Sequence, residues 1–293
     1  MDRSALGLVG RAPRRGEGSV TSEDGITQVR IRRGHREVTD VLVTEEPLEI
    51  RVDGRPLAVL MRTPGTTAEE DLDLAAGFLA TEGVIDGADD LAGLAICADP
   101  NRPKRANLVL VHLAAGAKTD PSRFERAQRN LYATSSCGLC GKASIERVFL
   151  NAPPLTSRLT LPTDLVSALP DQLRAAQPRF ALTGGLHGAA LFSTDGALIT
   201  AAEDVGRHNA VDKVIGRRLR ADAYPLEGKV LVVSSRAGFE IIQKAVMARI
   251  GAVVAVGAAS SLAHELALSA RVSLYSFVRG GTFNAHGIPA EVK

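Results

Sequence analysis

Two cysteines three residues apart, Cys137 and Cys140 in the segment SSCGLCGKASIE, are the residues of this chain best suited to chemistry. The sequence holds 3 cysteines in 293 residues, so a pair within one turn is no disulfide framework and points to reactive or metal-binding thiols in a reducing setting. A Cys-x-x-Cys pair supplies half a metal site, runs dithiol redox chemistry or carries sulfur as a persulfide. Gly138 and Gly141 keep the sulfurs accessible. Helical spacing in KASIERVFL sets Ile145, Val148 and Phe149 on one face and Cys140 just before the helix start. There the helix dipole and Lys142 favour a thiolate, the species that attacks a sulfur donor. A zinc site needs two further ligands. His35-Arg36-Glu37 has the letters of a deaminase His-x-Glu, but it lies about 100 residues upstream, and Ser136 stands where that signature has proline. His187 and His208 are the other histidines available as ligands. A thioredoxin-type dithiol needs an apolar strand directly before the pair, and NLYATSS is polar.

Two further constellations suit an anionic ligand. In TGGLHGAA, Gly184 and Gly185 let the backbone approach a ligand closely. In EDVGRHNAVDK, Arg207, His208, Asn209 and Lys213 gather around a helix start, where amides and basic side chains favour an anion. The loops SSRAG, GAASS and RGGTFN follow the C-terminal strands. Small residues there expose amides, and Arg236 and Arg279 can chelate oxyanions. Neither a P-loop nor a G-x-G-x-x-G fingerprint is present. The plain alternatives are a capped helix with a solvated face and ordinary tight turns. Cys97, His112 and His264 read as structural.

These groups need elements to hold them. Strand patterns run through QVRIRR, EVTDVLV, LEIRV and RPLAVLM, with a turn at Asp53-Gly54, and a helix over DLDLAAGFLATEG ends at Gly83. NLVLVHLA is a further strand. DLVSALPDQLRAA reads as a helix, and ALTGGLHGAALFSTDGALITAAED as strands around an Asp195-Gly196 turn. VGRHNAVDKVIGRRL follows as a helix with Val211, Val214 and Ile215 inward. KVLVVS, FEIIQKAVMARIG, AVVAVG, LAHELALSA and VSLYSFV then alternate strand and helix, which predicts a parallel sheet with helices on its faces. The expected class is α/β (α+β overall): residues 1–25 a tail, 26–132 a small α+β domain, and 133–293 an α/β domain built on a largely parallel sheet. Hydrophobic content of 45% supports a buried core, and a net charge of +2 excludes an overall basic polyanion binder, so no nucleic acid is expected as partner. SALGLVG lacks the features of a secretory leader, and AVVAVGAA is far below the roughly 20 apolar residues of a membrane span, so a cytoplasmic protein without a membrane partner is expected.

Taken together, SSCGLCGKASIE, TGGLHGAA, EDVGRHNAVDKVIG and FEIIQKA resemble the formate dehydrogenase accessory sulfurtransferases, the FdhD family; EEPLEIRVDG, MRTPG and DLAAGFLATEG fit as well. The resemblance implies a carrier that takes sulfur from a cysteine desulfurase to the molybdenum cofactor, Mo-bis(molybdopterin guanine dinucleotide), as its bound substrate, before that cofactor enters formate dehydrogenase. It implies the persulfide role for Cys137, an assisting role for Cys140, and cofactor contacts at Phe277, Val278, Arg279, Gly280, Gly281 and Thr282. It also implies a cytidine-deaminase-like C-terminal domain, a homodimer, binding of guanine nucleotides such as GDP, and no resident metal. Gly184, Gly185, Arg207, His208, Lys213 and Arg236 join the expected cofactor contacts. The chain departs from the family pattern at Ser234–Gly238, at Gly257–Ala259 before Ser260-Ser261, and at Ser269–Arg271. The competing functions are a zinc-dependent deaminase-like hydrolase and a molybdenum-cofactor chaperone that transfers no sulfur.

Overall fold

The computed structural model of the chain describes residues 22–23, 25–97, 107–117, 123–125, 127–128, 145, 149 and 152–287. Cys137 and Cys140 lie outside the described residues. Three sheets organise the rest. Strands β1 (Ser22–Glu23), β2 (Ile26–Arg33) and β3 (Arg36–Val43) form an antiparallel sheet. A four-stranded sheet has the order β5-β4-β7-β6, from β4 (Glu46–Val52), β5 (Arg55–Arg62), β6 (Leu91–Ile96) and β7 (Leu108–Leu113). The turn between β4 and β5 is the expected one: Asp53 and Gly54 both take positive φ, 47° and 78°, the backbone that matches the twist of a two-residue hairpin. β6 had no strand signature in the sequence, because Gly93 interrupts its apolar alternation and the strand is nowhere fully buried.

Helix α1 (Glu69–Thr81) carries Glu69, Glu70 and Asp71 in its first turn, where the dipole favours acids, and ends before Gly83 at φ 72°. Every residue from Asp71 to Thr81 is buried. One side, with Leu74, Phe78 and Leu79, covers the four-stranded sheet, packing on Leu48, Ile50 and Val109.

The third sheet has six strands in the order β13-β12-β11-β10-β8-β9: β8 (His187–Phe192), β9 (Leu198–Asp204), β10 (Val230–Val233), β11 (Ala252–Ala255), β12 (Ser273–Arg279) and β13 (Thr282–His286). Helix α2 (Thr163–Ala175) covers one face, where Val166, Leu169 and Leu173 meet Phe192, Val230, Val232 and Val254. A short α3 (Pro178–Thr183) follows it, in a stretch whose ALT letters read as strand. Helices α4 (Arg207–Arg220), α5 (Phe239–Met247) and α6 (Ser261–Ala270) pack on the other face against Leu191, Leu231, Val233 and Val253. Covering both faces is why VLVV and AVVA are unbroken apolar runs. Ile145 and Phe149, both helical, pack on this second face, as the spacing of KASIERVFL predicts.

The parallel character is confined to the centre of this sheet. Only β10-β11 and β11-β12 run parallel, while β8-β9, β8-β10 and β12-β13 are antiparallel. The expectation of a largely parallel sheet is corrected by two tight turns, at Asp195-Gly196 and Gly280-Gly281, because a hairpin can join only antiparallel neighbours. Strand β13, absent from the sequence reading, is the return arm of the second turn.

The middle of α1 meets α4 backbone to backbone. A Cβ on Gly77 would sit 1.9 Å from the Asp212 carbonyl oxygen, and one on Gly216 would sit 1.8 Å from that of Asp73. No helix among the described residues is long and apolar enough to cross a membrane.

Candidate functional site

One edge of the six-stranded sheet collects most of the chemistry-bearing residues. The carboxyl ends of β10, β11 and β12 lie there, and so does the start of antiparallel β8, since His187 pairs with Asp204 at the end of β9. In open α/β sheets this is where ligands bind. A cavity of about 600 Å³ opens on the α2 side of this edge, within the usual range for small-molecule sites. Its apolar floor includes Leu173, Leu186, Val256 and Val278; Arg174, Arg279 and His187 bring cationic or polar nitrogen, and Ser234 adds a hydroxyl.

The cavity joins two segments that are remote in sequence. Gly184 and Gly185 line it from the α3–β8 loop, and Val278, Arg279 and Gly280 from the end of β12. Gly184 has φ 66° and closes α3 in the left-handed conformation. The β12 end is bent by a register shift between Ser276 and Arg279, with Phe277 at φ 53° and its amide bound to the Gly257 carbonyl. That bulge turns Phe277 outward, 40% exposed, with the Arg279 guanidinium carbon 5.4 Å from its ring centre. Gly281 and Thr282 are exposed in the following turn, where the Thr282 hydroxyl donates to the Arg279 carbonyl. Arg236 is exposed on the loop after β10 and is not among the residues lining the cavity. Asp171, Arg174, Gln177 and Phe180 line it without having been anticipated. No local signal marks them, because the packing of α2 against the sheet brings them to the edge.

The segment EDVGRHNAVDK divides into two roles. Arg207 and His208 stand at the start of α4, beside His187. Glu203, Asp204, Asn209, Asp212 and Lys213 turn inward and hold the two halves of the fold together. Asp204 accepts hydrogen bonds from the Thr63 amide (3.2 Å), the Gly206 amide (2.8 Å) and the Asn209 amide side chain (2.8 Å), and pairs with the Lys213 ammonium at 2.8 Å. Lys213 also donates to the carbonyls of Thr63 and Glu203 and is fully enclosed, so its charge is spent on the junction and is not presented to the cavity. Burial works against an ionised Glu70 nearby, but Lys213 and Arg179 overcome it and hold the carboxyl below its usual range. One residue before Lys213, Asp212 accepts from Thr81 (2.8 Å) and pairs with Lys244 (2.9 Å). Burial disfavours the Lys244 charge, yet Asp212 and Glu82 more than offset this and raise its pKa.

His208 is the electrostatic exception at this edge. Burial, then the charges of Lys244 and Arg207 and the neighbouring His187, push its pKa down to about 3, and its Nε2 is buried without a hydrogen-bond partner. Below pH 6.5 the unfolded chain therefore takes up a proton that the folded chain refuses, and stability falls as the pH drops toward 3. From pH 6.5 to about pH 4.5 this single group costs about 2 kcal/mol. The His208→Gln variant is expected to show a correspondingly flatter acid limb in urea unfolding across that window. An unchanged limb would remove His208 as its source.

A family model described as the FdhD/NarQ family matches residues 43–292. The chain belongs to this family. A sulfur carrier protein FdhD from Streptomyces avermitilis is 48% identical over 268 residues, 88% of this chain and 91% of that one. A protein of the same name from Mycobacterium tuberculosis is 46% identical over 254 residues, 84% of this chain and 90% of its own. In fold, the chain is similar to the crystal structure of a protein described as a formate dehydrogenase accessory protein from Desulfotalea psychrophila. The TM-score is 0.67 at 21% identity, over 90% of this chain and 97% of that one. The FdhD/NarQ match spans the four-stranded sheet, the junction and the whole strand-end edge, so the cavity lies within the matched residues.

Proposed function

We propose that this protein is a sulfur carrier that serves formate dehydrogenase, as the names of its relatives suggest. The thiolate of Cys137 attacks the terminal sulfur of a cysteine desulfurase persulfide. A new S–S bond forms on Cys137, the old S–S bond breaks, and the desulfurase thiolate leaves. Cys140 assists as a relay: its thiolate attacks the outer sulfur of the Cys137 persulfide, which moves to Cys140 as the Cys137 thiolate leaves. The molybdenum cofactor, with its guanine dinucleotide arms, is the acceptor substrate, and part of it occupies the strand-end cavity. Arg279 and the backbone at Gly280 hold phosphate oxygens, the flat apolar floor takes a ring, and Gly184 and Gly185 allow close backbone approach. The protein acts as a homodimer in the cytoplasm.

The observation that carries this reading is the meeting of Gly184, Gly185, Val278, Arg279 and Gly280 around one cavity, although about ninety residues of sequence separate the two segments. Arg207 stands at the same edge and adds positive field toward an anionic ligand, while His208 beside it stays neutral. The test is intact and peptide mass spectrometry after incubation with desulfurase and cysteine. One added sulfur atom on the Cys137–Cys140 peptide is expected, and its absence would overturn the carrier reading.

A further inference from the structure

Gln177 lines the cavity and is 3% exposed, yet its side-chain Nε2 has no hydrogen-bond partner. A buried amide donor left unpaired is costly, and one set in a cavity wall is placed to bond whatever enters. The amide is also deliberately seated. It lies flat against Gly188, where a Cβ would come within 2.5 Å of both its carbon and its nitrogen. Gly188 is itself locked in the sheet, its amide donating to the Ser234 hydroxyl and its carbonyl accepting from the Ser234 amide. Arg174 stacks on Phe180 with its guanidinium carbon 4.0 Å from the ring centre, which gives the cavity a planar wall beside Gln177. Asp171, one turn before Arg174 in α2, also lines the cavity and brings carboxylate oxygens to it.

A planar wall, an amide donor and a carboxylate acceptor together match a ring that carries a carbonyl next to an N–H. An amino group in the carbonyl's place would set donor against donor, and an unprotonated ring nitrogen would face the carboxylate. We propose that Gln177 is the specificity-determining residue of the cavity, its amide donating to the ring carbonyl of an oxopurine while Asp171 accepts from the adjoining ring N–H. This rests on the reading of the cavity as the site for the cofactor's nucleotide arm.

The experiment is isothermal titration of the full-length protein with GDP, IDP and ADP. Wild type is expected to favour GDP and IDP over ADP by at least about tenfold, the scale of one good two-point base contact. In Gln177→Leu the GDP-to-ADP ratio collapses toward one. Gly188→Ala, which keeps the glutamine but pushes its amide out of place, does the same. Arg279→Ala weakens GDP and ADP equally and leaves the ratio intact. Circular dichroism melts confirm that each variant is folded. If wild type binds none of the three nucleotides, both the nucleotide-arm reading and this inference fall. If wild type discriminates and both Gln177→Leu and Gly188→Ala keep its ratio, the inference alone falls and the cavity assignment stands.

Discussion

A Cys137→Ala variant is expected to leave formate dehydrogenase inactive in cells that depend on this protein, while the variant itself folds as well as wild type. The effect should be a loss to background and not a partial decrease. A persulfide needs a sulfur to sit on, and no other side chain substitutes for a thiolate in thiol–disulfide exchange. Cys97 offers no replacement, because it is buried in the four-stranded part of the fold. Cys140→Ala is expected to be less severe, since under the proposed roles it assists a transfer that Cys137 begins. The two are separated by measuring persulfide on the protein and activation of formate dehydrogenase in parallel. Full activation by Cys137→Ala would reject sulfur carriage at that residue, and full activation by the double variant would favour a cofactor chaperone that transfers no sulfur.

The second large effect is on stability. Lys213→Met removes the counter-ion of Asp204, and neither residue is exposed to solvent at all. The carboxylate would keep its bonds from Asn209 and from the amides of Thr63 and Gly206, but it would lose the only ammonium within pairing distance among the described residues. Removing one partner of a buried pair costs about 3–5 kcal/mol, far above the median surface ion pair. In a protein of this size that is a fall of roughly 10 °C in melting temperature. The double variant Asp204→Asn with Lys213→Met is expected to recover a good part of the loss, because no lone charge remains inside. Chemical denaturation of the single and double variants checks this. A single variant as stable as wild type would show that the pair contributes little beyond what its hydrogen bonds supply.

Much of the fold was legible because its signals are local. The Asp53-Gly54 turn, the Gly83 stop after α1 and the apolar VLVV and AVVA runs each announce one element from a few residues. β6 and β13 were not legible: Gly93 breaks the alternation of the first, and the second exists only because Gly280-Gly281 folds the chain back. The site divided along the same line. Glycine and arginine in loops signal an anion site, and Gly184, Gly185, Arg279 and Gly280 do line the cavity. Gln177 and Asp171 carry no such signal, because their meaning comes from where α2 packs. Lys213 shows the opposite limit. A lysine one helical turn beyond Arg207-His208-Asn209 has the same letters whether it faces a ligand or a buried carboxylate, and only the helix rotation set by the Gly77–Gly216 contact decides.

That glycine contact also bears on how the molecule can come apart. With two helix backbones touching, α1 cannot leave α4 without stranding at once Glu70, Thr81 and Glu82, which reach across to Lys213, Asp212 and Lys244. Asp73, bonded to Arg217 and Arg220, would be stranded with them. The four-stranded sheet is therefore not a detachable lobe, and a fragment ending between α1 and β8 would carry half of an ionic lock with no key. The cavity edge inherits this rigidity, since β9 ends in Asp204 and α4 begins three residues after it. Whatever binds there meets a surface whose shape is set by the whole chain.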